Sequence, residues 1–319
     1  MADNRLTVTA MLRRLQIVLV ILAPLAVFAA MVGADRTFGG AGRGYDYIAR
    51  LNLPPPAGEI GLPKVLGPLD ASRPLVVIDA GHGGHDPGAG NGALKEKALT
   101  LALAQALRDE LLTRGGVRVA LTRDDDRFLL LPERAGIARR LKADLFISIH
   151  ADSSSNPDAR GATVYTLSER GSSDTAARLA ENENRADVIN GVSLSGKDDA
   201  VSAILVDLSQ REASAQSAEL AGLILREGAK ELSFRDSAIQ SAAFIVLKSA
   251  DLPSVLFEAG YISNGQDADW LASPRGQAAF AGATAKAVQV YFARRSTVYA
   301  DTGAGTGTGT GTDGAVVKP

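Results

Sequence analysis

From residue 75 onward the chain switches between two hydrophobic periods. Residues 75–78 form a short unbroken apolar run, as expected of a strand covered on both faces. Residues 97–112 place Leu103, Leu107 and Leu111 four apart on one helical stripe, which Gly115-Gly116 ends. Residues 117–121 read as a strand. Residues 131–141 read as a helix with Arg134, Arg139 and Arg140 on its polar side, and 144–149 as a strand. Further strands are predicted over 161–167 and 254–258, the latter preceded by an extended apolar run over 244–247, and a last helix over 274–294. This alternation predicts an α/β fold, a sheet with helices on both faces.

The flanks have a different texture. Arg13-Arg14 precede an apolar stretch over 15–31 and a small-x-small sequence, Val32-Gly33-Ala34, so residues 1–34 are expected to be a signal peptide or a membrane anchor, with the remainder exported. Residues 35–72, with Gly39-Gly40 and Pro54-Pro55-Pro56, read as a linker to a single domain over 73–295. Residues 296–319, where Gly alternates with Thr or Ala, are expected to be a disordered tail. Between Leu167 and Phe244 lies more chain than a sheet crossover requires. It reads as an insertion over about 168–240. One helix runs from a Ser172-Ser173-Asp174 cap through Ala176, Leu179 and Ala180 to Glu181-Asn182-Glu183-Asn184. A second helix is suggested by Ile204, Leu205 and Leu208 and later by Leu220, Leu223 and Ile224.

Composition narrows the chemistry. A charged fraction of 22% with net charge −2 and scattered Lys/Arg offers no basic stripe, so no nucleic-acid partner is expected. The chain has no cysteine, so a metal site must be built from His and carboxylates. There are only three histidines. His82 and His85 follow the first strand in Gly81-His82-Gly83-Gly84-His85, and His150 ends another. Open α/β sheets carry their chemistry at such strand ends. Catalytic zinc takes three protein ligands and keeps a position open. Glu96, at the start of the helix over 97–112, is the candidate third ligand, the alternative being a solvated first-turn acid. Glu258 ends the apolar strand 254–258 and is a candidate general base; otherwise it caps a turn near Ser263-Asn264. The glycine run lacks the Gly-Lys-Ser/Thr of a phosphate loop, and Asp124-Asp125-Asp126 reads as a solvated turn rather than a calcium site.

Taken in order, Ile78-Asp79-Ala80-Gly81-His82-Gly83-Gly84, Glu96, Ser148-Ile149-His150-Ala151 and Phe257-Glu258-Ala259-Gly260-Tyr261-Ile262-Ser263-Asn264 resemble the signature segments of the zinc-dependent N-acetylmuramoyl-L-alanine amidases, over about residues 74–294. Thr122-Arg123 and Pro132-Glu133-Arg134 agree with the same pattern. The resemblance implies a mostly parallel six-stranded sheet, zinc held by His82, Glu96 and His150, and Glu258 as the catalytic base. The implied reaction is hydrolysis of the amide between N-acetylmuramic acid and L-alanine in peptidoglycan, without a covalent intermediate. His85 is not a ligand position in that pattern. The insertion is similar to that of the division-associated members, in which a helix blocks the zinc cleft until a protein activator displaces it. Glu169, Glu181 and Glu183 are the acids that could then reach the open zinc position. A periplasmic enzyme is implied, touching the inner membrane only through its N-terminal segment. Residues 35–72 are too few for the wall-targeting β-domain of the larger members. The competing readings are a catalytically silent peptidoglycan-binding scaffold and another exported zinc peptidase; the absence of His-Glu-x-x-His argues against the common zincin type.

Overall fold

The computed structural model describes residues 22–32, 61–185 and 203–303, with Pro24, Pro157 and Ala250 excepted. The chain divides into two units, Met1–Ile60 and Gly61–Pro319. In the first, residues 25–32 are helical and expose Leu25, Val27, Phe28 and Met31. The rest of the segment expected to be a signal or anchor, Leu22 and Ala23 apart, lies outside the described residues. Among the described residues no helix is long and apolar enough to cross a membrane.

The second unit runs β1 (Leu75–Ala80), β2 (Gly90–Asn91), β3 (Leu94–Lys95), α1 (Glu96–Arg114), β4 (Arg118–Leu121), α2 (Leu131–Arg140), β5 (Leu145–Asp152), β6 (Ala162–Leu167), α3 (Asp174–Asn184), α4 (Ala203–Gly228), β7 (Phe234–Ala242), β8 (Ser254–Tyr261), α5 (Gly265–Ala272) and α6 (Pro274–Gly303). Six strands form one sheet in the order β4-β1-β5-β8-β6-β7. β4, β1, β5 and β8 are mutually parallel, while β6 runs antiparallel to β8 and parallel to β7. The sheet is therefore mostly parallel, as expected from the resemblance, and β2 and β3 make a separate small hairpin.

Alternation along each strand sends residues to two cores. Val76, Ile78, Ile147, Ile149, Val255 and Phe257 pack with α1, α4, α5 and α6 on one face. Leu75, Val77, Phe146, Leu256 and Tyr165 pack with α2 and α3 on the other. On this second face the apolar side chains give way, toward the carboxyl ends of the parallel strands, to Asp79, Ser148, His150 and Glu258, each in phase with the apolar residues before it and each buried.

Several expected elements are corrected. The apolar run 244–247 is not a strand; Ile245–Leu247 is a single 3-10 turn whose Val246 and Leu247 fill the second core. The sixth strand is β7, within the stretch assigned to the insertion. Its sequence shows no clean apolar alternation because it is the sheet edge, with Asp236, Ser237 and Ile239 exposed. The later half of the expected insertion is likewise not an appendage. α4 is one continuous helix whose Leu220, Ala221, Leu223 and Ile224 lie in the first core, and Ser217 Oγ accepts a hydrogen bond from Ser254 N at the start of β8. Residues 61–72, expected to belong to a linker, contribute Leu66, which exchanges backbone hydrogen bonds of 2.8 and 2.9 Å with Val119. The last helix continues to Gly303, eight residues into the expected tail; residues 304–319 lie outside the described ones.

Because Leu220 is fully buried in the main core, Leu220→Ala is expected to lower the unfolding free energy by about 2–5 kcal/mol. Urea denaturation followed by far-UV circular dichroism measures this, and a loss below about 0.5 kcal/mol would show that α4 is peripheral.

Candidate metal centre and the carboxylate beside it

The site begins where β1 ends. His82 sits at φ 60°, a left-handed conformation unusual for a side chain with a Cβ. Two buried arginines hold the backbone there. Arg134 donates to His82 O (2.9 Å) and to Ala80 O (2.8 Å), and Arg123 donates to Ala80 O (2.9 Å) and Gly81 O (2.8 Å). Arg134 also donates to Asp79 Oδ1 at 3.0 Å, and Asp79 accepts from Thr122 Oγ1 (2.6 Å) and Ser148 Oγ (2.7 Å). Burial alone would push the Asp79 carboxyl up; Arg134 and the two hydroxyls reverse that and hold it below the usual range. Gly81 is required by close approach: a Cβ there would lie 2.5 Å from the His150 ring.

Glu96 opens α1 and is 2% exposed. Its Oε2 accepts from Ala89 N (2.8 Å) and its Oε1 from Ala151 N (2.9 Å), so both oxygens are fixed by backbone. His82 Nδ1 shares a hydrogen bond of 2.8 Å with Asp86 Oδ2, which turns Nε2 inward. Glu96 Oε1 then lies 3.1 Å from His82 Nε2 and 3.3 Å from His150 Nδ1. Glu183 Oε2, from the last turn of α3, lies 3.5 and 3.1 Å from the same two nitrogens. One ligand atom from each of the four residues falls within 4.8 Å of every other. Donors bonded at about 2 Å to a tetrahedral ion are separated by about 3.3 Å, so this set is spaced to hold one. Both His82 Nε2 and His150 Nδ1 are buried and lack a well-formed hydrogen bond, as nitrogens aimed at a metal would. With protons in place of a cation, burial would push the two imidazoles down, but Glu96 and Glu183 outweigh it and raise both to about 10.

Glu258 stands beside His150 on β8 and opposite Thr163 on β6. It is 2% exposed, and among the described residues neither carboxylate oxygen has a hydrogen-bond partner. Burial pushes its carboxyl well above the usual range, reinforced by the charges of Asp152, Glu183 and Glu96. Asp152 is itself pushed up to about 7, mainly by burial. A carboxyl held this way, free of internal partners and next to a candidate metal centre, is suited to exchange protons with a substrate.

The structure thus brings His82, Glu96, His150 and Glu183 together, with Glu258 alongside. Glu169 and Glu181 are exposed and take no part. The choice among the acids is visible in retrospect, since Ala176, Leu179, Ala180 and Glu183 follow the i, i+3, i+4, i+7 spacing of one face, with the first three buried. His85 is exposed and lies against Phe128, ring centroids 4.2 Å apart. Asp126 is a structural tie, accepting from Gly84 N (2.8 Å) and Lys97 Nζ (2.7 Å). Sequence reasoning missed Asp86, four residues after His82, and Asn184. The Asn184 side chain donates to Ala243 O (2.9 Å) and accepts from Ile245 N (2.8 Å), fixing the end of α3. At the other end Ser173 caps α3 and donates to Gln240 Oε1 at 2.7 Å.

Residues 76–290 match the family described as N-acetylmuramoyl-L-alanine amidase. The chain belongs to that family. It is 40% identical over 220 residues to the N-acetylmuramoyl-L-alanine amidase AmiA of Escherichia coli (strain K12), covering 68% of this chain and 76% of the relative. To AmiC of Neisseria meningitidis serogroup B it is 36% identical over 221 residues, 69% of this chain and 53% of that longer relative. Among solved structures it is similar to the amidase AmiC2 of Nostoc punctiforme, with TM-score 0.50 and 31% identity over 69% of this chain and 98% of that one. An amidase of this family acts on peptidoglycan, and the His82, Glu96, His150 and Glu183 group with Glu258 is its candidate centre.

Since metal-free imidazoles with pKa values near 10 carry protons at pH 7.5, loading the centre with Zn2+ is expected to release about two protons. Calorimetric titration in buffers of different ionisation enthalpy measures this; the slope of observed heat against buffer enthalpy would be near zero if the histidines were not the ligands.

Proposed function

We propose that this chain is an exported zinc-dependent N-acetylmuramoyl-L-alanine amidase of cell-wall remodelling and daughter-cell separation, with α3 holding it closed. The observation that carries this reading is the four-donor set beside an unpartnered buried Glu258. Two imidazoles and a carboxylate form the donor set of a catalytic zinc site, assigning His82, Glu96 and His150 as the permanent ligands. Zinc bound there would supply Lewis acidity toward the scissile carbonyl and an attacking water.

The protein residues carry the proton. Glu258 accepts it from the attacking water at a carboxylate oxygen and delivers it to the nitrogen of L-alanine as the carbon–nitrogen bond breaks. The products are a lactyl carboxylate on the glycan and a stem peptide with a free amino terminus. Asp86 holds His82 in the tautomer that presents Nε2. Glu183 Oε2 is the fourth donor of the set, 3.5 and 3.1 Å from the two imidazoles, which supports reading the arrangement as a resting one. A protein activator that draws α3 off the face made by Ala176, Leu179 and Ala180 would free that position. Peptidoglycan lies outside the cytoplasmic membrane, which fits export to the periplasm and the apolar helical residues 25–32.

The test is digestion of purified peptidoglycan by the full chain, with products read by mass spectrometry. Glu183→Ala is expected to raise basal release of stem peptides by roughly tenfold or more. Added Glu258→Gln should lower that rate by about 10²–10⁴, and a zinc chelator should abolish it. Intact glycan–peptide linkages with every variant, despite bound zinc, would overturn the reading. A Glu183→Ala enzyme no faster than the parent would remove the closure alone.

A further inference from the structure

Beyond Glu258, the same face of the sheet carries a guanidinium with an unmatched donor among the described residues. Arg235 is the second residue of β7, and its Nη1 is buried without a hydrogen-bond partner among the described residues. The buried Arg123 and Arg134 behave differently, donating to backbone carbonyls and Asp79. Arg235 is also fixed in direction. Its neighbour Phe234 packs into the first core and stacks on Phe257, so alternation sends Arg235 to the face that bears Glu258. There its guanidinium carbon lies 5.3 Å from the Tyr261 ring centroid, and Tyr261 in turn lies beside the Asp152 carboxyl. Tyr165, whose hydroxyl also lacks a partner among the described residues, is close enough to feel Arg235 and Glu258 together.

Arg235 further lines an open groove of about 590 Å³ with Asn156, Asp158, Arg160, Phe234 and Asp236. Arg160 in that groove is already paired, donating to Gln266 Oε1 at 2.7 Å. A buried guanidinium donor left unmatched is costly, and a planar fork of N–H groups suits a carboxylate.

We infer that Arg235 is a specificity-determining residue that receives the free α-carboxylate of the second stem-peptide residue, the glutamate joined to the chain through its γ-carboxyl. The inference rests on the amidase reading. The reach agrees: β8, β6 and β7 are adjacent, so the backbones bearing Glu258 and Arg235 are about 10 Å apart. An extended dipeptide beginning at the scissile nitrogen spans about 7 Å, and the arginine side chain covers the remainder. An amide at that carboxyl would offer no charge to Arg235.

The experiment uses two muramoyl tripeptides with the γ-carboxyl in peptide linkage, one with the α-carboxylate free and one with it amidated. Binding by calorimetry and steady-state hydrolysis are measured with full-chain Glu183→Ala. The carboxylate form is expected to bind about tenfold more tightly, seen as a lower KM with little change in kcat. Adding Arg235→Gln should remove that preference while leaving the amidated ligand nearly unaffected, and Arg235→Lys should restore part of it. Equal binding of the two ligands, no measurable binding of either, or an equal loss for both in Arg235→Gln would overturn the inference. Carboxylate-dependent binding that Arg235→Gln removes, without hydrolysis of either ligand, would sink the amidase reading and leave only the carboxylate contact of Arg235.

Discussion

The pairing of Asp79 with Arg134, 3.0 Å apart and fully buried, is what the catalytic end of the sheet depends on. A buried ion pair stabilises little by itself, because desolvation offsets most of the attraction, but removal of one partner is severe. Here the pair does more than neutralise itself. Arg134 turns its remaining N–H groups to the carbonyls of Ala80 and His82, and Asp79 gathers hydroxyls from β5 and the end of β4. Four backbone or side-chain groups from separate elements thereby converge where β1 stops. The left-handed turn at His82, unfavourable for a residue with a Cβ, is held by that convergence rather than by local propensity.

From this anchored turn follows the difference between the two glutamates that face the imidazoles. Glu96 accepts two backbone N–H bonds and is 2% exposed; it cannot leave without opening α1 or the strand end. The Glu183 carboxylate, 14% exposed, meets only the two imidazoles among the described residues. Its position is set indirectly, by Asn184 against residues 243–245, by Ser173 against β7, and by three small or medium apolar side chains. A ligand held through its own oxygens is permanent, whereas one held through neighbouring residues can be withdrawn with its helix. That asymmetry gives the proposed closure a physical basis.

Most of the sheet was readable because its parallel strands are covered on both faces and so appear as apolar runs: residues 75–78, 144–149 and 254–258 all mark real strands. β7 escaped because an edge strand needs neither face fully apolar, and Phe234-Arg235-Asp236-Ser237 offers no period. The run at 244–247 misled for the opposite reason. It is as apolar as a strand, but it enters the core as a single turn, and period alone cannot tell these apart over four residues. His82, Glu96, His150 and Glu258 were legible as rare polar residues at element ends. Asp86 and Arg235 were not, since each draws its meaning from a partner, or a missing partner, that only the fold brings near.

The distribution of unsatisfied groups ties these points together. Among the described residues, the buried side-chain atoms without a hydrogen-bond partner are His82 Nε2, His150 Nδ1, both Glu258 oxygens, Thr163 Oγ1, Tyr165 Oη and Arg235 Nη1. Native interiors pair nearly all such atoms, because each orphan costs about 1–3 kcal/mol or more. Orphans scattered over the molecule would suggest loose packing. Here Thr163 faces Glu258 across the β6–β8 pair, His150 faces it across β5–β8, Tyr165 lies near it on β6, and Arg235 stands two strands away on the same face. The unmet polarity is therefore local and ordered: nitrogens for a cation at one end, a carboxyl able to move a proton in the middle, and donors for an anion at the other. The proposed hydrolysis of an amide flanked by a carboxylate would call for that sequence of partners, and on that reading a metal and a substrate would recover the folding free energy forgone at these atoms.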